Sequence, residues 1–312
     1  MEKEHTYNRE LEKNILRVLL YFDIFSHPLK PEEIYIFLPQ NSITLPEFVK
    51  QLNIIAGNKE SQIKQKDGYY FSGDNYHYSA IRSERETYSR RHWKMARIMT
   101  HIIKRFPFVR AVFITGSLSK NSSSKASDID FMIVTQKNRL WIARTMLMTF
   151  KKIFLFNKYK YFCINYSITE DNLEIEDKNI YTAIEVITSK ATYNSGMLNK
   201  FINSNLWLSG LLPNYSYECS TLHTTDFIPN NRSSFLQRAA ELCFPAELTN
   251  KLDRSLQNKT RDHWKKKHKH LPETEREQMF RTNEGVSKVH PGNMQHKILG
   301  SYNNKLKEFN LI

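Results

Sequence analysis

The sequence has 312 residues, enough for one large domain or two to three small ones, and its 40% hydrophobic and 25% charged residues are ordinary for a soluble globular protein. Lys, Asn, Ile, Tyr and Phe are abundant while Gly is rare, a bias that AT-rich coding can produce. Part of the net charge of +14 can therefore reflect base composition, and the total alone is not evidence for an acidic partner. Residues 146–156, the most apolar stretch, are few and include two lysines, which excludes a membrane span, and residues 1–10 lack the apolar segment of a signal peptide.

Residues 1–78 are predicted to form a winged-helix-like domain. Apolar spacing and turn residues indicate helices at 11–25, from Pro31, and at 44–58, followed by a hairpin at 61–74 that turns at Asp67-Gly68. A winged helix contacts DNA through its third helix. Here that helix offers Lys50 and Gln51 and little else that could reach base edges. We therefore favour a role in packing or dimerisation over sequence-specific DNA binding.

Residues 79–234 are predicted to form an α/β (α+β) core with a mixed sheet flanked by helices. Helices are expected at 79–106, 138–156 and 177–189, and strands at 108–115 and 159–169. Helical spacing in the first helix predicts a buried face made of Met95, Ile98, Met99, Ile102, Ile103 and Phe106.

Residues 235–312 are predicted to be a helical, basic C-terminal region. Residues 251–312 hold twice as many Lys and Arg as Asp and Glu, and residues 82–105 form a second basic cluster. Such clusters suit phosphate-rich partners, although solvated helix faces explain them about as well. His290, before Pro291 and Gly292, could contact a phosphate, but a role as a turn residue is favoured.

The cysteines indicate the compartment. Cys163, Cys219 and Cys243 are spaced as neither a zinc site nor a disulfide framework. A reducing cytoplasm is the expected location.

The candidate metal-binding and phosphate-binding residues are concentrated in residues 114–135, ITGSLSKNSSSKASDIDFMIVT. Side chains two apart on a strand share a face, so Asp128 and Asp130 are expected to project together, and two such charges favour a divalent metal between them. Gly116 lets the backbone approach a phosphate closely, and the hydroxyl of Ser117 can donate to a phosphate oxygen. The stretch therefore predicts a metal–phosphate site.

Gly-Ser, ten residues, and then Asp-x-Asp at the head of an apolar strand resembles the nucleotidyltransferase fold of the DNA polymerase β superfamily. The resemblance implies that Asp128 and Asp130 hold Mg²⁺ or Mn²⁺, which bridges a nucleoside triphosphate, ATP in the first instance. It implies transfer of the nucleoside monophosphate to a hydroxyl acceptor. The residues expected to bind the triphosphate are Gly116, Ser117, Lys120 and Lys125.

Members of this superfamily usually carry a third carboxylate on a neighbouring strand. The central inward position of the 159–169 strand is instead Asn165, whose amide oxygen can bind the metal but cannot take a proton. Glu170, Asp171 and Glu185 are alternatives, although the apolar neighbours of Glu185 indicate a helix that packs on the sheet.

The chain as a whole is also similar to bacterial proteins that join a winged-helix-like segment to this core and end in a segment like HPGNMQHKILGSY. The resemblance does not identify the acceptor: a small molecule or a protein is favoured, RNA is possible, and no membrane is expected. Two other functions stay open. One is a catalytically inactive nucleotide- or nucleic-acid-binding module of the same fold, and the other is a winged-helix transcription regulator.

Overall fold

The computed structural model describes residues 8–40, 42–156, 160–216, 235–290 and 292–312. Helices flank a five-stranded mixed sheet, so the chain has the mixed α/β architecture that the sequence predicts. Among the helices in these ranges, none is long and apolar enough to cross a membrane. Cys163 and Cys243 are free thiols, and Cys219 lies outside the described residues.

The N-terminal module, residues 8–74, contains the three predicted helices and the hairpin. These elements are α1 (Arg9–Asp23), α2 (Pro31–Phe37), α3 (Leu45–Gly57), β1 (Ile63–Lys66) and β2 (Tyr69–Ser72). Proline, capping and turn residues account for where these helices begin and where the hairpin turns. Pro31 begins α2, and Thr44 and Glu47 cap the start of α3 reciprocally. Asp67 and Gly68 have φ values of 54° and 80°, as a tight two-residue hairpin turn requires.

A long helix, α4 (Tyr78–Ile103), leads from this module into the rest of the chain. The elements that follow it are β3 (Val109–Thr115), α5 (Gly116–Ser119), β4 (Asp130–Thr135), α6 (Leu140–Phe154), β5 (Cys163–Thr169), α7 (Ile180–Thr188), β6 (Lys190–Tyr193), α8 (Ser195–Asn203) and α9 (Leu208–Leu211). After residue 234 come α10 (Phe235–Leu242), α11 (Ala246–Lys267), α12 (Glu273–Met279), β7 (Val286–Lys288) and α13 (Met294–Glu308).

The strand order in the sheet is β6-β3-β4-β5-β7. Only the β4–β5 pair is parallel, and the connection between these two strands contains α6. The other neighbouring pairs are antiparallel. Thr115 at the end of β3 lies opposite Asp130 at the start of β4, so the Gly116 turn and the Asp130 carboxyl meet at one edge of the sheet.

Side chains along the central strands alternate between two hydrophobic clusters. Phe113 and Met132 pack with residues of α1, α7, α8 and α13, so the N-terminal module and the sheet share this cluster. Val112 and Ile133 pack on the opposite face with residues of α4 and α6. Asp130 precedes Met132 by two positions, so it lies on the face that α7 and the N-terminal module cover.

The C-terminal region, predicted to be helical, also contains one short strand. Val286–Lys288 is a strand that pairs antiparallel with β5 and completes the sheet. Three residues are too few to show an alternating pattern in the sequence, and the pairing depends on the unoccupied edge of β5. The helix that follows, α13, packs on α1: the rings of Tyr302 and Tyr21 are 5.5 Å apart, and the Tyr302 hydroxyl donates to the carbonyl of Arg17 at 3.1 Å.

Several side chains of the two basic clusters are used inside the fold. Arg82 of α4 is only 4% exposed and forms an ion pair with Glu33 of α2 at 2.7 Å. Lys288 of β7 is paired with Asp177 at 2.8 Å. Lysines 265–267 at the end of α11 remain exposed. The exposed positive surface is therefore smaller than the sequence indicates.

Candidate functional site

A cavity of about 610 Å³ lies where the N-terminal module faces the sheet. The Gly116 turn, the start of β4, β5 and α7 form one side of it, and residues 24–27 of the module and parts of 288–298 form the other. This volume is in the usual range for sites that bind small molecules. Five of the predicted site residues line the cavity: Gly116, Ser117, Lys120, Asp130 and Asn165.

Gly116 brings the backbone against the Asp130 carboxylate. Its φ is 66°, a left-handed conformation that follows directly from the end of β3. A Cβ atom at this position would lie 2.4 Å from Oδ2 of Asp130, closer than van der Waals contact permits. Glycine is thus required here twice, by the backbone conformation and by the close approach.

Replacing Gly116 with Ala is expected to lower the free energy of unfolding by about 1–2 kcal/mol through backbone strain alone, and to displace the Asp130 carboxylate as well. Urea unfolding measures the first effect. The control is Gly300→Ala, at an exposed position of α13, where a Cβ meets nothing within 4 Å and helix propensity predicts a gain of about 0.5–1 kcal/mol. Equal effects of the two substitutions would contradict the steric role of Gly116.

Asp130 is held by Asn165 on the neighbouring strand. The register of β4 and β5 shifts by one residue between Phe131 and Met132, and Asn165 is the extra residue of β5 at that bulge. Its Nδ2 donates to Oδ1 of Asp130 at 2.5 Å, while its own Oδ1 accepts from the Cys163 thiol at 2.9 Å. Asn165 therefore orients the Asp130 carboxylate through a hydrogen bond, and its oxygen points toward Cys163.

The Asp130 carboxyl sits in a negatively charged environment. Burial, followed by the charges of Glu185 and Asp128, raises its pKa from 3.8 to about 7. Without a bound cation, the folded chain therefore holds a proton on Asp130 at pH values where the unfolded chain has released it.

This raised pKa predicts how stability depends on pH. Between the unfolded pKa near 3.8 and the folded pKa of about 7, the free energy of unfolding is expected to fall as pH rises, by up to about 1.4 kcal/mol for each pH unit from this group. Asp130→Asn removes this contribution. Urea unfolding of both proteins in EDTA at pH 5, 6, 7 and 8 should therefore show the wild type losing stability relative to the variant. Parallel curves would show that the pKa of Asp130 is not raised.

Glu185 enters the site from α7. Its Oε1 accepts from Lys120 Nζ at 2.7 Å, and its Oε2 accepts from the backbone N–H of Gly116 at 3.1 Å. Lys120 Nζ also donates to the Gly116 carbonyl at 3.0 Å. The helix that contains Glu185 packs on the sheet, as the sequence indicated. This packing places the Glu185 carboxylate beside the Gly116 turn.

The other predicted site residues lie as follows. Ser117 lines the cavity with its hydroxyl 3.5 Å from that of Ser123. Asp128 is exposed, precedes β4, and is absent from the cavity wall, although its charge reaches Asp130. Lys125 is also exposed and off the wall. Asp171 pairs with Lys137 at 3.0 Å instead of turning to the site.

The donor set fits a hard divalent cation such as Mg²⁺ or Mn²⁺. Asp130 and Glu185 offer carboxylate oxygens, and burial, together with the charges of Glu185 and Asp128, raises the pKa of Asp130, so a bound cation would favour its charged form. Within the described ranges, no three His, Cys, Asp or Glu side chains are grouped as a ready-made metal site. Asp130 is thus the residue best placed to hold a cation, with Asn165 as its orienting partner.

The cavity also contains one residue that the sequence did not indicate and one that it indicated only as an alternative phosphate contact. His27 of the N-terminal module and His290 both line it. Burial, followed by the charge of Arg82, lowers the pKa of His27 to about 3, and its Nδ1 has no hydrogen-bond partner among the described residues. Burial, followed by the charge of Lys288, lowers the pKa of His290 to about 4. Both imidazoles are therefore neutral at pH 7, and His290 is a cavity residue as well as part of a turn.

No protein-family model, no curated protein and no solved structure matches this chain. A function for the chain therefore has to be inferred from its own residues.

Proposed function

We propose that this chain is a nucleotidyltransferase that depends on Mg²⁺ or Mn²⁺ and transfers a nucleoside monophosphate, AMP from ATP in the first instance, to a hydroxyl acceptor. The observation that carries the proposal is the contact between the Gly116 turn and the Asp130 carboxylate inside one cavity. A tight glycine turn that exposes its backbone beside a carboxylate can bind a phosphate and the cation that accompanies it. This proposal includes the nucleotidyltransferase fold, which the mixed sheet is compatible with.

The residues take distinct roles in this proposal. The backbone of Gly116, the hydroxyl of Ser117 and the ammonium of Lys120 bind phosphate oxygens. Asp130 holds the cation, oriented by Asn165. When bound, Mg²⁺ supplies neutralisation of the negative charge that develops as pyrophosphate leaves. The exposed Asp128 and Lys125 contribute through their charges from outside the cavity wall.

The acceptor that suits this cavity best is a small molecule. The cavity is bounded on the side of the N-terminal module by Phe25 and His27 and on the side of α13 by Ile298, so its walls are partly apolar. Because the module shares a hydrophobic cluster with the sheet, it serves packing better than DNA recognition. RNA as acceptor calls for a continuous basic surface, and the burial of Arg82 and the pairing of Lys288 reduce that surface.

A second candidate is a nucleotide-binding module that does not catalyse transfer. Two observations favour it. Asn165 stands where an acid is expected, and an amide cannot accept a proton from the acceptor hydroxyl. Lys120 is already paired with Glu185 at 2.7 Å, so one of the phosphate-binding groups is occupied.

Pyrophosphate release distinguishes the two candidates. The purified chain is incubated with ATP, Mg²⁺ and cell extract, and the same reaction is run with Asp130→Ala. Release by the wild type alone supports transfer. Repeating the assay with RNase-treated extract and with the small-molecule fraction of the extract identifies the acceptor class. Wild-type protein that binds ATP with Mg²⁺ but releases no pyrophosphate in any fraction would favour the non-catalytic module.

A further inference from the structure

The Glu185 carboxylate accepts hydrogen bonds from two groups at the Gly116 turn that could otherwise bind an anion. Glu185 accepts from the backbone N–H of Gly116 at 3.1 Å and from Lys120 Nζ at 2.7 Å. The proposed function assigns these same two groups to a phosphate. In the free chain, therefore, the Glu185 carboxylate stands where a phosphate would bind.

The surroundings allow this carboxylate to leave without unfolding anything. The backbone of α7 is fixed by buried Ala183, Ile184, Val186 and Ile187. The Glu185 side chain, by contrast, is 24% exposed and faces the cavity. Rotation of this one side chain is sufficient to free Gly116 N–H and Lys120 for a ligand.

The Glu185 and Asp130 carboxylates both lie against Gly116. Gly116 contacts both: its N–H donates to Glu185, and its missing Cβ makes room for Oδ2 of Asp130. After burial, the charge of Glu185 is the largest influence raising the pKa of Asp130. Two carboxylates at this separation repel each other unless a cation lies between them.

We propose that Glu185 is an exchangeable internal anion: a ligand's phosphate displaces it from Gly116 and Lys120, and the displaced carboxylate joins Asp130 in holding the divalent cation. This inference rests on the proposed function and adds a residue to it. Without a cation, the displaced Glu185 carboxylate is repelled by the Asp130 carboxylate, so phosphate binds weakly. With a cation, both carboxylates bind the metal and the repulsion is removed. Glu185 therefore couples the binding of phosphate to the binding of metal.

Coupling through Glu185 predicts the same two effects for Glu185→Gln and Glu185→Ala: tighter binding of phosphate without metal, and a smaller gain in affinity when metal is added. Without metal, inorganic triphosphate is expected to bind either variant about tenfold more tightly than the wild type, since no charged competitor holds Lys120; this corresponds to about 1.4 kcal/mol. With Mg²⁺, the additional gain in affinity should be smaller in the variants than in the wild type. Gln keeps the shape of Glu, so it tests the charge even if Ala disturbs the packing.

The experiment is isothermal titration calorimetry with inorganic triphosphate, in EDTA and in Mg²⁺. The control is Glu174→Gln, which removes the same charge from an exposed residue that pairs with Lys178 outside the cavity. Equal triphosphate affinity of Glu185→Gln and the wild type in EDTA, with Mg²⁺-dependent binding still lost in Asp130→Ala, would overturn the exchange and leave the proposed function standing. Absence of triphosphate binding to the wild type in both buffers would overturn both.

Discussion

Replacing Asp130 with Ala is expected to weaken Mg²⁺-dependent binding of ATP by more than about 100-fold. Loss of a residue that only orients a metal ligand costs about 10- to 100-fold in affinity or activity, and Asp130 is proposed as the ligand itself. The fold should survive, because the substitution removes a carboxyl whose raised pKa destabilises the chain at neutral pH. Calorimetry with ATP and Mg²⁺ measures the affinity, and urea unfolding checks the stability.

Asp128→Ala is the matched control for this prediction. The sequence pattern treats the two aspartates as equals, whereas the structure places Asp128 outside β4, exposed and off the cavity wall. We therefore expect Asp128→Ala to weaken ATP binding by about tenfold or less, through loss of a nearby charge. Unchanged affinity in Asp130→Ala would remove the proposed site, and equal losses in the two variants would make Asp128 a full ligand.

Replacing Arg82 with Met is expected to lower the free energy of unfolding by about 3–5 kcal/mol, the range for breaking a buried ion pair by removing one partner. Arg82 is 4% exposed and binds Glu33 with two hydrogen bonds, Nη1 to Oε2 at 2.7 Å and Nη2 to Oε1 at 2.8 Å. Burial alone would raise the pKa of Glu33, but the hydrogen bonds and charge of Arg82 hold that pKa below its ordinary value. The variant removes the cationic partner of Glu33 and also that of Glu86, which Arg82 Nε contacts at 3.2 Å.

Urea unfolding at pH 7 measures this loss, with Arg90→Met as the control. Arg90 is on the same helix but is exposed, and its substitution should change stability by less than about 0.5 kcal/mol. Adding Glu33→Gln to Arg82→Met should recover part of the loss, because Glu33 is then neutral; Glu86, the other carboxylate that pairs with Arg82, is 31% exposed and stays solvated. A loss in Arg82→Met as small as that in Arg90→Met would show that the ion pair contributes nothing to stability.

Elements set by local chemistry were predictable from the sequence. The hairpin of the N-terminal module follows from Asp67-Gly68, and α2 and α3 follow from proline and capping residues at their starts. The spacing of apolar residues predicted the buried face of a helix less reliably. Ile98 was predicted on the buried face of α4 and is 54% exposed. A 3.6-residue period defines a stripe along a helix, but the docking partner decides which edge of the stripe is covered.

The candidate site was predictable as far as it follows two adjacent strands. Asp130 and Asn165 lie side by side as expected, because β4 and β5 are parallel neighbours. Glu185 was only one of three alternatives, since its position depends on how α7 docks on the sheet. His27 was not indicated, and His290 was indicated only as an alternative phosphate contact, because both reach the cavity from segments far apart along the chain.

The strand β7 has a consequence for the order of events during synthesis. Of the strands in the described ranges it leaves the ribosome last, long after β6, yet it pairs with β5 in the interior of the sequence. Until it emerges, the β5 edge of the nascent sheet is open to pairing with other chains. Residues 288–298 of the cavity wall emerge with it or after it. A ligand that contacts this wall can therefore stabilise the chain only after β7 has emerged.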